Sequence, residues 1–212
     1  MNPSANIQKI FCAAGSLMGW FAVIEQLILM LLNQQTPLAT TLIQFISYFT
    51  ILTNILVALY FTLLWLRPSS RWGQFFSKAN NSTAVAVYIT IVGLVYNIIL
   101  RSLWKPEGMQ KLVDELLHTV IPLYFILYWV LFVPKNSLGW KNVFNWLLYP
   151  FVYLIYILIR GSVTGLYPYP FIDVSIIGFS QALTNCRLVF IAFLVISFLF
   201  IGLARVLKKP LL

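Results

Sequence analysis

The residues able to do chemistry in this chain are few and polar, and they stand inside long apolar runs. Ser47, Thr50 and Asn54 recur at i, i+3 and i+7, which places them on one face of a helix, with Thr53 beside that stripe. Asn97 and Arg101 are spaced i, i+4, and Asp114, His118 and Pro122 repeat at the same interval, with Glu115 three residues before the histidine. Glu25, Asp173 and Arg187 complete the set. A threonine and a histidine suffice for acyl transfer: imidazole takes the hydroxyl proton, the alkoxide attacks an ester carbonyl, and a donor such as Asn54 or Asn97 could hold the oxyanion. Asp114, one turn before His118, could orient the imidazole. Each residue also has a plainer reading. Intramembrane threonines commonly bond back to the i−4 carbonyl or pack against a neighbouring helix. Arg101 and Arg187 could pair with Asp114, Glu25 or Asp173, or reach lipid phosphates. No Gly-x-Ser-x-Gly elbow, phosphate-binding glycine loop or His-Glu-x-x-His motif occurs, and one histidine cannot build a multi-histidine metal site. No metal or cofactor is expected.

Composition states what must position these groups. Hydrophobic residues make up 61% of the 212 positions and charged residues 9%, and the mean hydropathy is +0.89. A soluble domain carries about 25% charged residues, so this chain cannot clothe a water-facing surface and the bilayer must be its solvent. Six segments reach the ~20 apolar residues that a spanning helix needs: about 10–32, 42–66, 84–104, 113–133, 142–160 and 188–207. They are too long and continuous for barrel strands. The expected fold is an all-α membrane protein, a single six-transmembrane-helix bundle over residues 1–212, with the first span kept as a signal anchor.

Charge orients the bundle. Lys9, Arg67, Arg71, Lys78, Lys135, Lys141, Arg205, Lys208 and Lys209 share one side with no acid. Arg101, Lys105, Lys111, Arg160 and Arg187 share the other side with all five acids. The positive-inside rule then predicts both termini in the cytoplasm of a multi-pass protein, by default in a bacterial inner membrane. The net charge of +9 is read as a fringe facing anionic lipid, with no nucleic acid partner. Cys12 and Cys186 fall near opposite ends of their spans and cannot pair within the chain. By helix rise, the polar groups converge on the outer half, with Thr50 roughly 12 Å and His118 roughly 8 Å below the boundary. The expectation is one polar pocket shared by all six helices, with none of these groups needed in the inner half. The connection over 161–173 cannot be helical across Pro168 and Pro170. The segment 174–187 would either extend span six or lie across the pocket.

Three motifs in this order, Tyr48-Phe49-Thr50-Ile51-Leu52-Thr53-Asn54, His118-Thr119-Val120-Ile121-Pro122 and the run from Val163 through Tyr167 to Asp173, resemble the androgen-induced and androgen-dependent membrane protein family in its prokaryotic six-helix branch. The resemblance extends over nearly the whole chain, and the Val-Thr-Gly … Tyr-Pro-Phe-x-acid run is its most specific part. It implies a membrane threonine hydrolase of fatty-acid esters of hydroxy fatty acids. Thr50 would be the nucleophile, with Thr53 a competing match one turn on, and His118 the base. Tyr167 and Asp173 would belong to the pocket. Two details differ: Asp173 stands where animal members often have Glu, and the histidine motif has one residue fewer before its proline. The expected partners are membrane lipids and a lipid-like ester. The number of copies in the assembly is left open. Two other readings stand beside the hydrolase: a small-molecule or lipid carrier built on Glu25, Arg101 and Arg187, and a non-catalytic partner subunit whose polar cluster only joins helices.

Overall fold

A computed structural model describes residues 3–207 of the chain; Lys208 and Lys209, counted above with the cations, lie outside the described residues. The described chain is 81% helix with no strand. Six helices are long and apolar enough to cross a membrane: Ser4–Leu32, Phe49–Leu66, Ala79–Leu100, Gly108–Phe132, Asn142–Thr164 and Phe179–Val206. The shortest, at 18 residues, reaches about 27 Å, close to a hydrocarbon core of about 30 Å.

In chain order the α-helices are α1 (Pro3–Leu32), α2 (Leu38–Phe45), α3 (Phe49–Leu66), α4 (Arg71–Ser77), α5 (Ala79–Val95), α6 (Gly108–Glu115), α7 (Ile121–Phe132), α8 (Asn142–Trp146), α9 (Leu148–Thr164), α10 (Val174–Ile177) and α11 (Phe179–Val206). Two π-helical turns, Tyr96–Leu100 and Leu116–Val120, continue α5 and join α6 to α7. The loops 33–37, 101–107 and 165–173 lie at one end of the bundle, called here the loop end; Pro3 and Leu207, the first and last described residues, lie at the other.

Two boundaries depart furthest from the sequence expectation. The second span does not run from 42. It breaks at Ile46–Tyr48, leaving α2 as a separate helix. The cause is local: Ser47 Oγ donates back to Ile43 O at 2.5 Å, and Tyr153 OH donates to Ser47 O at 2.8 Å, replacing a helical donor. Tyr48 is therefore extended, and Ser47 is not on the helical face it was expected to share with Thr50 and Asn54. The sixth span begins at Phe179, so 179–187 extends it, and Gly178 at φ 77° makes the turn from α10.

The core forms where α5 packs among α3, α7 and α11. α1 closes on α3 through small residues one turn apart. A Cβ on Gly15 would come within 2.6 Å of the Phe61 ring, and one on Gly19 within 3.0 Å of Ala58 Cβ. Beside that seam, Ser16 and Thr62 share a hydrogen bond of 2.7 Å.

The expectation that polar groups are confined to one half is corrected by what lies nearer the termini. Tyr60 OH and Ser82 Oγ share a bond of 2.9 Å, and Trp129 Nε1 donates to Thr83 Oγ1 at 2.8 Å. Asn80 Oδ1 accepts from Asn142 and Trp146 at 2.7 and 2.9 Å. Lys135, only 2% exposed, donates to Val130 O and Val133 O and lies 4.6 Å from the Trp129 ring centroid. These groups satisfy one another inside packed core, as buried polar groups in a membrane must. The loop end is distinguished by a cavity.

Candidate functional site

The site is built on a proline. Pro122 has no N–H, so its i−4 and i−5 acceptors, His118 O and Leu117 O, lack a backbone donor. At this point Ile121 N bonds Leu116 O in π register. Side chains from two other spans fill the gap. Asn54 Nδ2 of α3 donates to Leu117 O at 3.2 Å, and Asn97 Nδ2 of the facing π turn donates to His118 O at 3.2 Å. Their second amide hydrogens go to Thr50 O at 2.9 Å and Gly93 O at 2.8 Å. The hydrogens of both amides are thus spent, and neither side chain has a donor free to hold an oxyanion, which corrects the role suggested from sequence. They are caps that hold the His118 turn against α3 and α5. π-helical turns concentrate at functional sites, and here two of them face each other.

His118 Nδ1 lies 2.9 Å from Asp114 O and 3.2 Å from Asp114 Oδ1. Both partners are acceptors, so Nδ1 carries the proton and neutral His118 presents a bare Nε2. Asp114 is 4% exposed, and its second oxygen accepts from Tyr96 OH. The Tyr96 ring stacks on the imidazole, with centroids 3.9 Å apart and planes 14° apart. Tyr96 therefore fixes both Asp114 and His118. Its aromatic, apolar look gave sequence reasoning nothing to find.

The break before α3 places Thr50 in the first turn of a helix, where the N–H groups of Phe49, Thr50 and Ile51 have no intrahelical acceptor. Tyr169 OH accepts the Thr50 N–H at 3.4 Å. The Thr50 side chain and the Phe49 N–H lie beside the same phenol. Burial pushes the Tyr169 pKa up against the partial pull of these donors, so the phenol stays neutral and keeps a hydrogen to give. Tyr169 was present in the aromatic run noted from sequence but was not singled out.

Two cavities meet here. One, of about 740 Å³, is walled by α1, α2, the start of α3, both π turns and the loop Pro168–Pro170, and includes Thr50, Tyr96, Asp114, His118 and Tyr169. The other, of about 90 Å³, is apolar and runs among α3, α5, α9 and α11, past Phe49, Val92, Val95, Phe190 and Phe193. Thr50, Tyr96, Leu100 and Tyr169 line both. The polar cavity thus draws on four spans, α2 and the three loops of the loop end, not on six spans, while α9 and α11 wall only its apolar neighbour.

Among the other residues chosen from sequence, Thr53 is fully buried, 3.4 Å from Tyr149 OH, and lines neither cavity. Thr50 and His118 share one cavity wall without a direct hydrogen bond. Arg101 pairs with Glu115 at the exposed edge. Tyr167 packs on Gly161 instead of reaching either cavity, and Asp173 caps α10 through Ser175 N at 3.0 Å. Arg187 is exposed, and Glu25 forms no ion pair among the described residues and lines neither cavity. The structure does not bring Glu25, Arg101 and Arg187 into one site. Cys12 and Cys186 are both free and buried. Among the described residues no three metal-ligating side chains cluster. In comparisons with known proteins, no family model, curated protein or solved structure matches the chain.

Proposed function

We propose that this protein is an intramembrane hydrolase of a lipid ester, with Thr50 as nucleophile and His118 as general base. The observation that carries the reading is the position of Thr50: it stands where an apolar pocket meets a polar cavity, and the wall of that cavity holds a histidine whose Nδ1 is anchored on Asp114. An acyl chain fits the apolar side, the remainder of the ester fits the polar side, and the carbonyl then lies at the hydroxyl.

His118 Nε2 takes the Thr50 Oγ proton as Oγ bonds to the ester carbonyl carbon. The tetrahedral oxyanion is met by donors at the start of α3 and by Tyr169 O–H. As the C–O bond to the alcohol breaks, His118 returns the proton to the leaving oxygen, and acyl-Thr50 remains. Water, deprotonated by His118, attacks the acyl carbon; Thr50 regains its proton and the carboxylic acid departs. Asp114 steadies the imidazolium in both halves of the cycle.

Entry from the bilayer needs no aqueous channel for an apolar chain. In this reading the termini face the cytoplasm and the loop end faces outward, supported by the excess of Lys and Arg at the terminal end, with a bacterial inner membrane as the default setting. The test is hydrolysis of a fluorogenic lauroyl ester by purified protein in nonionic detergent. Thr50→Ala should abolish turnover, His118→Ala should lower it about 10²–10⁴-fold, and Thr53→Ala should keep it. Full turnover by Thr50→Ala would overturn the reading.

A further inference from the structure

The larger cavity is the more polar of the two, and its polar lining bears on the kind of head it could receive. Its lining residues include the amide-bearing Gln26, Asn33, Gln34, Gln35, Gln44 and Gln110, of which Asn33 gives an amide hydrogen to Leu29 O. None of the described lysines and arginines lines it. This is not for want of cations at the loop end, where Arg101, Lys105, Lys111, Arg160 and Arg187 all stand. Arg101 is held by Glu115. Arg160, whose charge acts on Tyr48 in the wall, spends a guanidinium N–H on Leu166 O at 3.0 Å; its Nε has no protein partner but does not reach the cavity. Lys105, Lys111 and Arg187 are exposed. The one carboxylate in the wall is Asp114.

We infer that the ester cleaved here has an uncharged, hydroxyl-rich leaving alcohol, as in a monoester of glycerol or another polyol, and not a head bearing phosphate or carboxylate. The inference rests on the hydrolase reading above. Amides both donate and accept, which matches hydroxyls in either role. Gln110 Nε2 donates to Gln26 Oε1 at 2.9 Å, which leaves the Gln26 amide hydrogens and the Gln110 carbonyl to a ligand. An anion would gain no ion pair and would meet Asp114. At an effective dielectric of about 20, a unit charge about 7 Å from that carboxylate weakens binding roughly fifty-fold. The same chemistry disfavours the free carboxylate of a hydroxy-fatty-acid ester, the substrate class implied by the family resemblance.

The matched probes are 1-lauroylglycerol and 1-lauroylglycerol 3-phosphate, which differ only in the phosphate. Hydrolysis by the wild-type protein is followed alongside binding of each lipid to the Thr50→Ala protein, read by mass spectrometry of the intact complexes. The expected result is a kcat/KM and an affinity for the neutral ester at least about thirty-fold higher. Gln44→Lys should narrow that ratio at least several-fold by improving the phosphate ester. Equal hydrolysis of both esters, or an unchanged ratio in Gln44→Lys, would overturn the inference and leave the hydrolase standing. Selective binding of the neutral lipid without turnover in the wild type would uphold the head-group selection and end the hydrolase reading. Binding of neither would end both.

Discussion

If Pro122 opens the carbonyls that Asn54 and Asn97 close, then the asparagines and the proline must be energetically coupled. The Asn54 side chain is fully buried, and its bond to Leu117 O is that carbonyl's replacement for a backbone donor. Asn54→Leu keeps the branched shape of the side chain but leaves Leu117 O unpaired, at about 1–3 kcal/mol. Interhelical bonds in membranes average nearer about 0.6 kcal/mol, and the substitution also removes Asn54 Oδ1, which is buried without a partner. The net loss should be about 1–2 kcal/mol, a fall in Tm of roughly 3–6 °C. Pro122→Ala restores an N–H to the same turn. It should therefore cost less, or even stabilise, in the Asn54→Leu background, with a coupling of at least about 0.5 kcal/mol. Cys12 at 1% and Cys186 at 7% exposure suit an assay in which a thiol-reactive fluorogenic dye reports unfolding in detergent. Additivity of the two changes within about 0.3 kcal/mol would refute the capping account.

Two further outcomes follow from single residues and a third from the charge asymmetry of the two ends. Gly161→Ala puts a methyl group into the Tyr167 ring; it should cost about 1–3 kcal/mol, and Tyr167→Ala should cost less in that background than in the wild type, measured by the same thermal assay. Burial lowers the Lys135 pKa to about 8 from 10.5. Between those values the unfolded chain binds more protons than the native one, so stability should rise with pH across that window, and Lys135→Met should flatten the rise. For topology, a cysteine at Ser175 should react with a membrane-impermeant maleimide in intact cells, and one at Ser77 only after permeabilisation; the reverse pattern would invert the proposed orientation.

Six spans could be read from sequence because length and hydropathy alone decide whether a helix can cross a bilayer. Asp114, Thr50 and His118 could be picked out because ionisable and hydroxyl groups are conspicuous in apolar runs. Their settings could not. The break at Ile46–Tyr48 depends on Tyr153, some hundred residues on, and without it Thr50 would sit mid-helix with its N–H engaged. The π turns appear only once the unpaired carbonyls around Pro122 are counted against Asn54 and Asn97. Tyr96 and Tyr169 act through hydroxyls at the tips of rings that look like ordinary span aromatics. Spacing in the chain also cannot distinguish Tyr167, packed on Gly161, from Tyr169, two residues on and in the site. Ser82 and Thr83 fell outside the polar stripe sought at the loop end, yet both are buried and bonded.

The central claim is that the Thr50 hydroxyl is made nucleophilic by His118. Fluorophosphonate labelling of the protein in native membranes, followed by peptide mass spectrometry, tests it most directly. The account predicts a phosphonyl adduct on Thr50 that persists in Thr53→Ala and disappears in both Thr50→Ala and His118→Ala at normal expression. An adduct on another residue, or labelling that survives the loss of either Thr50 or His118, would contradict it.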